Sequence, residues 1–150
     1  MSEQNNKAAT KKFLSQLYKN TKMGADSIID IMPKVANEEL KSELTSELEK
    51  YEDFSKKIKT MLFDLGMEAH EENAMTKVMT KVGITMNTML DASASHIADI
   101  MIQGATMGIT DTTKLVREYE NTSCSEDALA LAKETIKYEE ATVERLKKFL

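Results

Sequence analysis

The chain has 150 residues, 25 acidic and 20 basic, for a net charge of −5. It carries one proline, five glycines and no tryptophan, with only four phenylalanines and four tyrosines, a composition that favours helix and argues against a sheet protein. Both charge signs are interleaved along the chain, which excludes the basic stripe of a nucleic-acid-binding surface. The length suits one domain with a real core.

A single cysteine, Cys124, excludes an internal disulfide framework. It lies in the polar stretch Asn121-Thr-Ser-Cys-Ser125 and reads as an ordinary loop thiol. No run approaches the roughly 18 apolar residues of a membrane span. The N-terminal MSEQNNKAATKK lacks the apolar core of a secretion signal, so the expected location is the cytoplasm.

In chain order, the apolar period predicts a first helix over 8–35, with the stripe Leu14, Leu17, Tyr18, Ala25, Ile28, Met32 and Val35. Pro33 is expected to kink or tighten its last turn. Asn37 reads as an N-cap, with Glu38 and Glu39 at the positive end of a second helix over 37–65. Gly66 ends it. Residues 66–83 read as a crossover. Its polar start, Met67-Glu-Ala-His70-Glu-Glu-Asn-Ala, leads into a short amphipathic helix carrying Met75, Met79 and Val82. A third helix is predicted over 84–120, with a break near Asp91 to Ser95. Ser125 caps a fourth over 125–150.

Four carboxylates fall on apolar faces of these helices. Glu47 shares a face with Leu40, Leu44, Tyr51, Phe54 and Ile58, and Glu139 with Ala132, Ile136, Val143 and Leu146. Asp111 and Glu118 share one with Ile97, Ile100, Gly104, Gly108 and Leu115. Burying an acid is costly unless it is paired, hydrogen-bonded or bound to a metal. At about 1.5 Å of rise per residue, Glu47 stands about 16 Å from the first loop and Glu139 about 24 Å from the second. In a bundle about 42 Å long with its hairpin loops at opposite ends, the two stand level.

Two helical hairpins joined by one long crossover are the ferritin-like variant of the four-helix bundle. With Met23-Gly-Ala-Asp-Ser-Ile28 and Glu38-Glu-Leu-Lys-Ser-Glu-Leu44, nearly the whole chain resembles the ferritin-like superfamily, and within it the bacterial bundles of about this size. The resemblance implies an all-α antiparallel bundle. In active members it also implies two iron or manganese ions, held by a glutamate from each of two helices and Glu-x-x-His from each of the other two. Here the pattern departs. Helix two has Glu47-x-x-Lys50 and helix four Glu139-x-x-Thr142, and neither His70 nor His96 falls in the motif. A protonated lysine has no lone pair to give a metal.

The sequence therefore points to a binding or scaffolding bundle with no catalysis of its own and no cofactor. One rival is a carboxylate-rich metal protein using Glu47, Asp111, Glu118 and Glu139, all-oxygen ligands for iron or manganese. A second is a small-molecule sensor whose cavity is lined by Gly104, Met107 and Gly108. Helix three carries another apolar stripe, Ala98, Ile102, Ala105, Ile109 and Val116. With Met75 and Met79, its residues Ile102, Ile109 and Val116 are the candidate interface of a homodimer or an unknown protein partner. The eleven methionines fall mostly on helical apolar faces and read as core.

Overall fold

A computed structural model of the chain describes residues 3–67 and 90–150. Among these residues are four α-helices and no strand: α1 Glu3–Ile31, α2 Glu38–Asp64, α3 Ala94–Tyr119 and α4 Glu126–Leu146. The crossover, with His70, Met75, Met79 and Val82, lies outside the described residues.

Each boundary has a local cause. Pro33 has no N–H to donate, and the chain beyond Ile31 tightens into a 3-10 turn over Met32–Lys34. Asn37 Oδ1 then accepts the Leu40 N–H at 2.9 Å and starts α2. Gly66 ends it at a positive φ of 84°, with Gly66 N–H donating to Phe63 O and Met67 N–H to Leu62 O, the closure that a left-handed glycine allows. Ser125 Oγ caps α4 through the Ala128 N–H.

The described part of the third helix begins at Ala94, and residues 84–89 of its predicted span lie outside the described residues. Asp91 Oδ1 accepts the Ser93 N–H at 2.9 Å, and Ser93 Oγ accepts that of His96 at 3.2 Å. This Asx turn followed by an N-cap makes Ala94 the first helical residue. These non-helical residues fall where the break near Asp91 to Ser95 is expected.

Around the bundle, α1 packs against α2 and α3, and α4 against α3 and α2. The core divides into two apolar clusters. The first joins Phe13, Leu14, Leu17 and Tyr18 of α1 to Phe54 and Ile58 of α2, Leu115 and Val116 of α3, and Ala128, Leu131 and Ala132 of α4. The second joins Ala25, Ile28 and Ile31 of α1 to Leu40, Leu44 and Tyr51 of α2, Ile97 and Met101 of α3, and Leu146 of α4. The start of α1 thus meets the ends of α2 and α3 and the start of α4. Helices α2 and α3 run the same way, so α2 ends at the opposite end of the bundle from the start of α3. Truncating any of the fully buried side chains to alanine costs about 2–5 kcal/mol.

No described helix is long and apolar enough to cross a membrane. Cys124 is buried against the first cluster, not exposed on a loop, and burial pushes its thiol up from its ordinary range. That leaves it protonated and a weak nucleophile.

Candidate functional site at the polar waist

Most of the buried polar side chains lie where the two apolar clusters meet. Thr21 comes from α1, Thr112 from α3, and Thr135, Glu139 and Thr142 from α4. Glu47, one turn before Tyr51 on α2, borders the second cluster. Thr21 Oγ1 and Thr135 Oγ1 donate to carbonyls of their own helices, Leu17 O and Ala132 O. Thr112 Oγ1 accepts Asn20 Nδ2 from α1 at 3.2 Å. The hydroxyls are satisfied locally, which leaves the two acids as the open question.

Glu47 is 2 % exposed. Burial, then a hydrogen bond and negative charge from Glu43 one turn earlier, push its carboxyl up to about 10, against a smaller opposing pull from Arg145. At neutral pH Glu47 is therefore the protonated partner of a carboxyl–carboxylate pair and donates to Glu43. Arg145 completes the chain from α4: its Nε donates to Glu43 Oε1 and Oε2 at 3.1 and 3.2 Å, and its Nη2 to Thr142 Oγ1 at 2.8 Å. One net negative charge is shared by two carboxyls and met by one guanidinium. Glu47 Oε2 remains buried without a hydrogen-bond partner among the described residues.

Glu139 is 5 % exposed. Burial, and secondarily the negative charge of Asp111, push it up to about 8. It is seated on Gly108 of α3, where a Cβ would overlap Glu139 Oε2. Tyr51 lies among these groups, packed on Gly24 so closely that a Cβ there would stand 3.0 Å from its ring. Its hydroxyl is pushed up by burial and by the charges of Glu139 and Glu47. Both acids thus act on the Tyr51 hydroxyl.

Aromatic rings close the α2 and α4 side. Tyr138 meets Tyr51 and Phe54 edge-on, with centroids at 6.1 and 5.9 Å. Arg145 lies 5.1 Å from the centre of the Tyr138 ring. Lys50 turns to the rings of Phe54 and Tyr138, at 5.0 and 5.9 Å, and not to Glu47. The two positions that hold histidine in the ferritin-like motif are thus a cation on aromatic faces and an acceptor for arginine.

Asp111 and Glu118 are exposed, against the expectation that they face the core. The reason is the angle of α3. Its buried residues are Ile97, Ala98, Met101, Ala105, Thr112, Leu115 and Val116. At about 100° per residue, their mean direction falls between the two predicted stripes. The buried face takes residues from the facing edges of both stripes, because α3 is covered by both α1 and α4. Asp111 and Glu118 lie past one edge of it. Val116 and Ala98, expected on an outer stripe, are core, while Ile102 and Ile109 are half-buried. Met75 and Met79 lie outside the described residues.

Among the described residues the cavity expected beside Gly104, Met107 and Gly108 is not formed: Met107 is 62 % exposed, none of them stands within 4 Å of a Cβ at Gly104, and the place beside Gly108 is taken by Glu139. A cleft of about 380 Å³ lies instead at the end of the bundle that holds the first cluster, between Thr10, Leu14, Met61, Leu65 and Ser125.

Among the described residues no three histidine, cysteine, aspartate or glutamate side chains converge as a metal-ligand set. Comparison with protein-family models, curated proteins and solved structures finds no match.

Glu43, Tyr138 and Arg145 are the waist residues that the hydrophobic pattern does not single out. A signal for Glu43 and Arg145 exists. Two glutamates four apart on one helix face repel, so Glu43 beside an inward Glu47 calls for a cation. Arg145 falls on the inner side of the last turns of α4.

Proposed function

We propose that the chain is a ferritin-like four-helix bundle, acting as a homodimer in a binding or scaffolding role in the cytoplasm, with no reaction of its own. The ferritin-like arrangement is supported by the parallel course of α2 and α3, which puts the end of α2 and the start of α3 at opposite ends of the bundle. The observation that carries the non-catalytic reading is the pairing of Glu47. Its proton goes to Glu43 and the remaining charge to Arg145, so the central acid is neutralised by the protein's own groups. Asp111 and Glu118 face outward, which leaves a di-metal centre short of ligands among the described residues.

One observation favours the rival reading, a carboxylate metal site for iron or manganese. Glu47 Oε2 is buried with no donor, and both Glu47 and Glu139 act on the Tyr51 hydroxyl. A cation placed there would displace the Glu47 proton and hold both acids ionised.

Elemental analysis of protein purified without added metal or chelator, followed by melts with Mn²⁺, Fe²⁺ and EDTA, separates the two readings. The binding reading expects no stoichiometric metal and no change in melting temperature. Near-stoichiometric iron or manganese that is lost in a Glu47→Ala, Glu139→Ala double variant would establish the metal reading in its place. Sedimentation equilibrium tests the dimer: a mass near 16.9 kDa at all concentrations would refute it.

A further inference from the structure

The four seams of the bundle are not alike. Of the adjacent pairs, α2 and α4 pack least closely. At waist height Tyr138 meets Tyr51 and Phe54 edge-on. Beyond that ring contact the helices face each other through the polar groups of Glu43 and Glu47 on one side and Thr142 and Arg145 on the other. One ion pair, Lys148–Glu39, lies nearer the helix ends. In the polar stretch the charged contact is the Arg145–Glu43 ion pair, whose side chains are 39 % and 13 % exposed, and water can replace both partners there. Beneath it, Glu47 Oε2 has no partner in the closed seam and gains one from any water that enters. The seam between α1 and α3 differs. Its cross-helix hydrogen bond, Asn20 to Thr112, lies between residues that belong to the apolar clusters on either side, and parting it would expose apolar surface. Local opening is cheapest where little apolar area is uncovered and polar groups are hydrated.

We propose that the bundle opens at its waist along the polar stretch of the α2/α4 seam, between Glu43–Glu47 and Thr142–Arg145, with Arg145 as the clasp that holds it shut and the Tyr138 ring contacts left in place. The apolar clusters above and below keep the helix ends together, so the opening admits water to Glu47 and Glu139 without unfolding the bundle. The inference stands whichever reading of the acids holds, because it concerns access to them and not what they bind.

Two buried threonines provide matched probes. Thr142 and Thr112 are each 1 % exposed and each accepts one side-chain N–H, from Arg145 and from Asn20. Thr142→Cys and Thr112→Cys are made separately in a Cys124→Ser chain, and thiol labelling is followed under native conditions. The thiol introduced by Thr142→Cys is expected to react at least about tenfold faster than the one introduced by Thr112→Cys. Adding Arg145→Met is expected to speed the first about tenfold more and leave the second unchanged. Equal rates at the two positions, or faster reaction at 112, would overturn the opening. An Arg145→Met effect of the same size at both would overturn the clasp. Cys124 in the otherwise native chain reports global unfolding. If Arg145→Met exposes it, Glu43→Gln replaces that variant, with the same two outcomes read from it.

Discussion

Gly108 and Gly104 are one turn apart on α3, and nothing in their identity distinguishes them. Their surroundings do: a methyl group at 108 would meet the Glu139 carboxyl, while one at 104 would meet nothing. Alanine gains roughly 1 kcal/mol over glycine within a helix. Gly104→Ala is therefore expected to raise stability by up to about 1 kcal/mol in urea or thermal melts. At 108 that gain is opposed by an overpacking cost of about 1–3 kcal/mol, since the acid must leave its seat. Gly108→Ala is expected to be at least about 1 kcal/mol less favourable than Gly104→Ala. Removing the obstacle with Glu139→Ala should restore the gain, giving a coupling of at least about 1 kcal/mol in a double-mutant cycle. Additive effects of the two changes would show that the carboxyl does not rest on this glycine. The sequence places Gly108 on an inward face and so predicts that it makes room for something. The reading offered for it is a cavity shared with Gly104 and Met107, and the space beside it is instead filled by an acid, as Tyr51 fills that beside Gly24.

At the scale of the element, α1, α2 and α4 are legible because the apolar period picks out the face that each one buries, and because Asn37, Gly66 and Ser125 are strong end signals. Helix α3 is harder to read. Its apolar residues spread over a wider arc than the face it buries, and a wheel centred on the stripe of Ile97, Ile100 and Leu115 misplaces Asp111 and Glu118. Its described start at Ala94 falls at the break expected near Asp91 to Ser95, where Ser93 supplies the cap. That signal has a measurable weight. Ser93→Ala removes the acceptor for the His96 N–H and should cost about 1 kcal/mol, whereas Ser95→Ala, within the first turn and exposed, should cost only a few tenths. Circular dichroism melts of the two variants decide it. Equal stabilities would mean that the cap does not set the start of the helix.

At the scale of the whole molecule, the waist makes folding an act of proton retention. Glu47 and Glu139 are pushed from an ordinary carboxyl value near 4.5 to about 10 and about 8. Below about pH 4.5 both are protonated whether the chain is folded or not, and their contribution is fully present. As the pH rises past that point, the unfolded chain releases two protons that the folded bundle keeps. Stability then falls by up to about 1.4 kcal/mol per pH unit for each proton. Glu139 stops adding to the slope above about pH 8, and Glu47 above about pH 10. Asp91, held below its usual range by its hydrogen bonds with Ser93, acts in the opposite sense at low pH, so the effect is read as a difference between chains. Glu47→Gln keeps an N–H donor for Glu43 and has no proton to lose, and Glu139→Gln likewise removes a titration. Each variant's stability relative to the native chain should rise steadily from pH 5 to pH 8. The Glu139→Gln advantage should then level off, while that of Glu47→Gln keeps rising towards pH 10. Denaturant melts at pH 5, 7 and 9 test this. Native and variant curves that stay parallel across that range would mean that both acids are ionised in the fold, and the neutral, self-paired waist would have to be abandoned for one that takes up a cation.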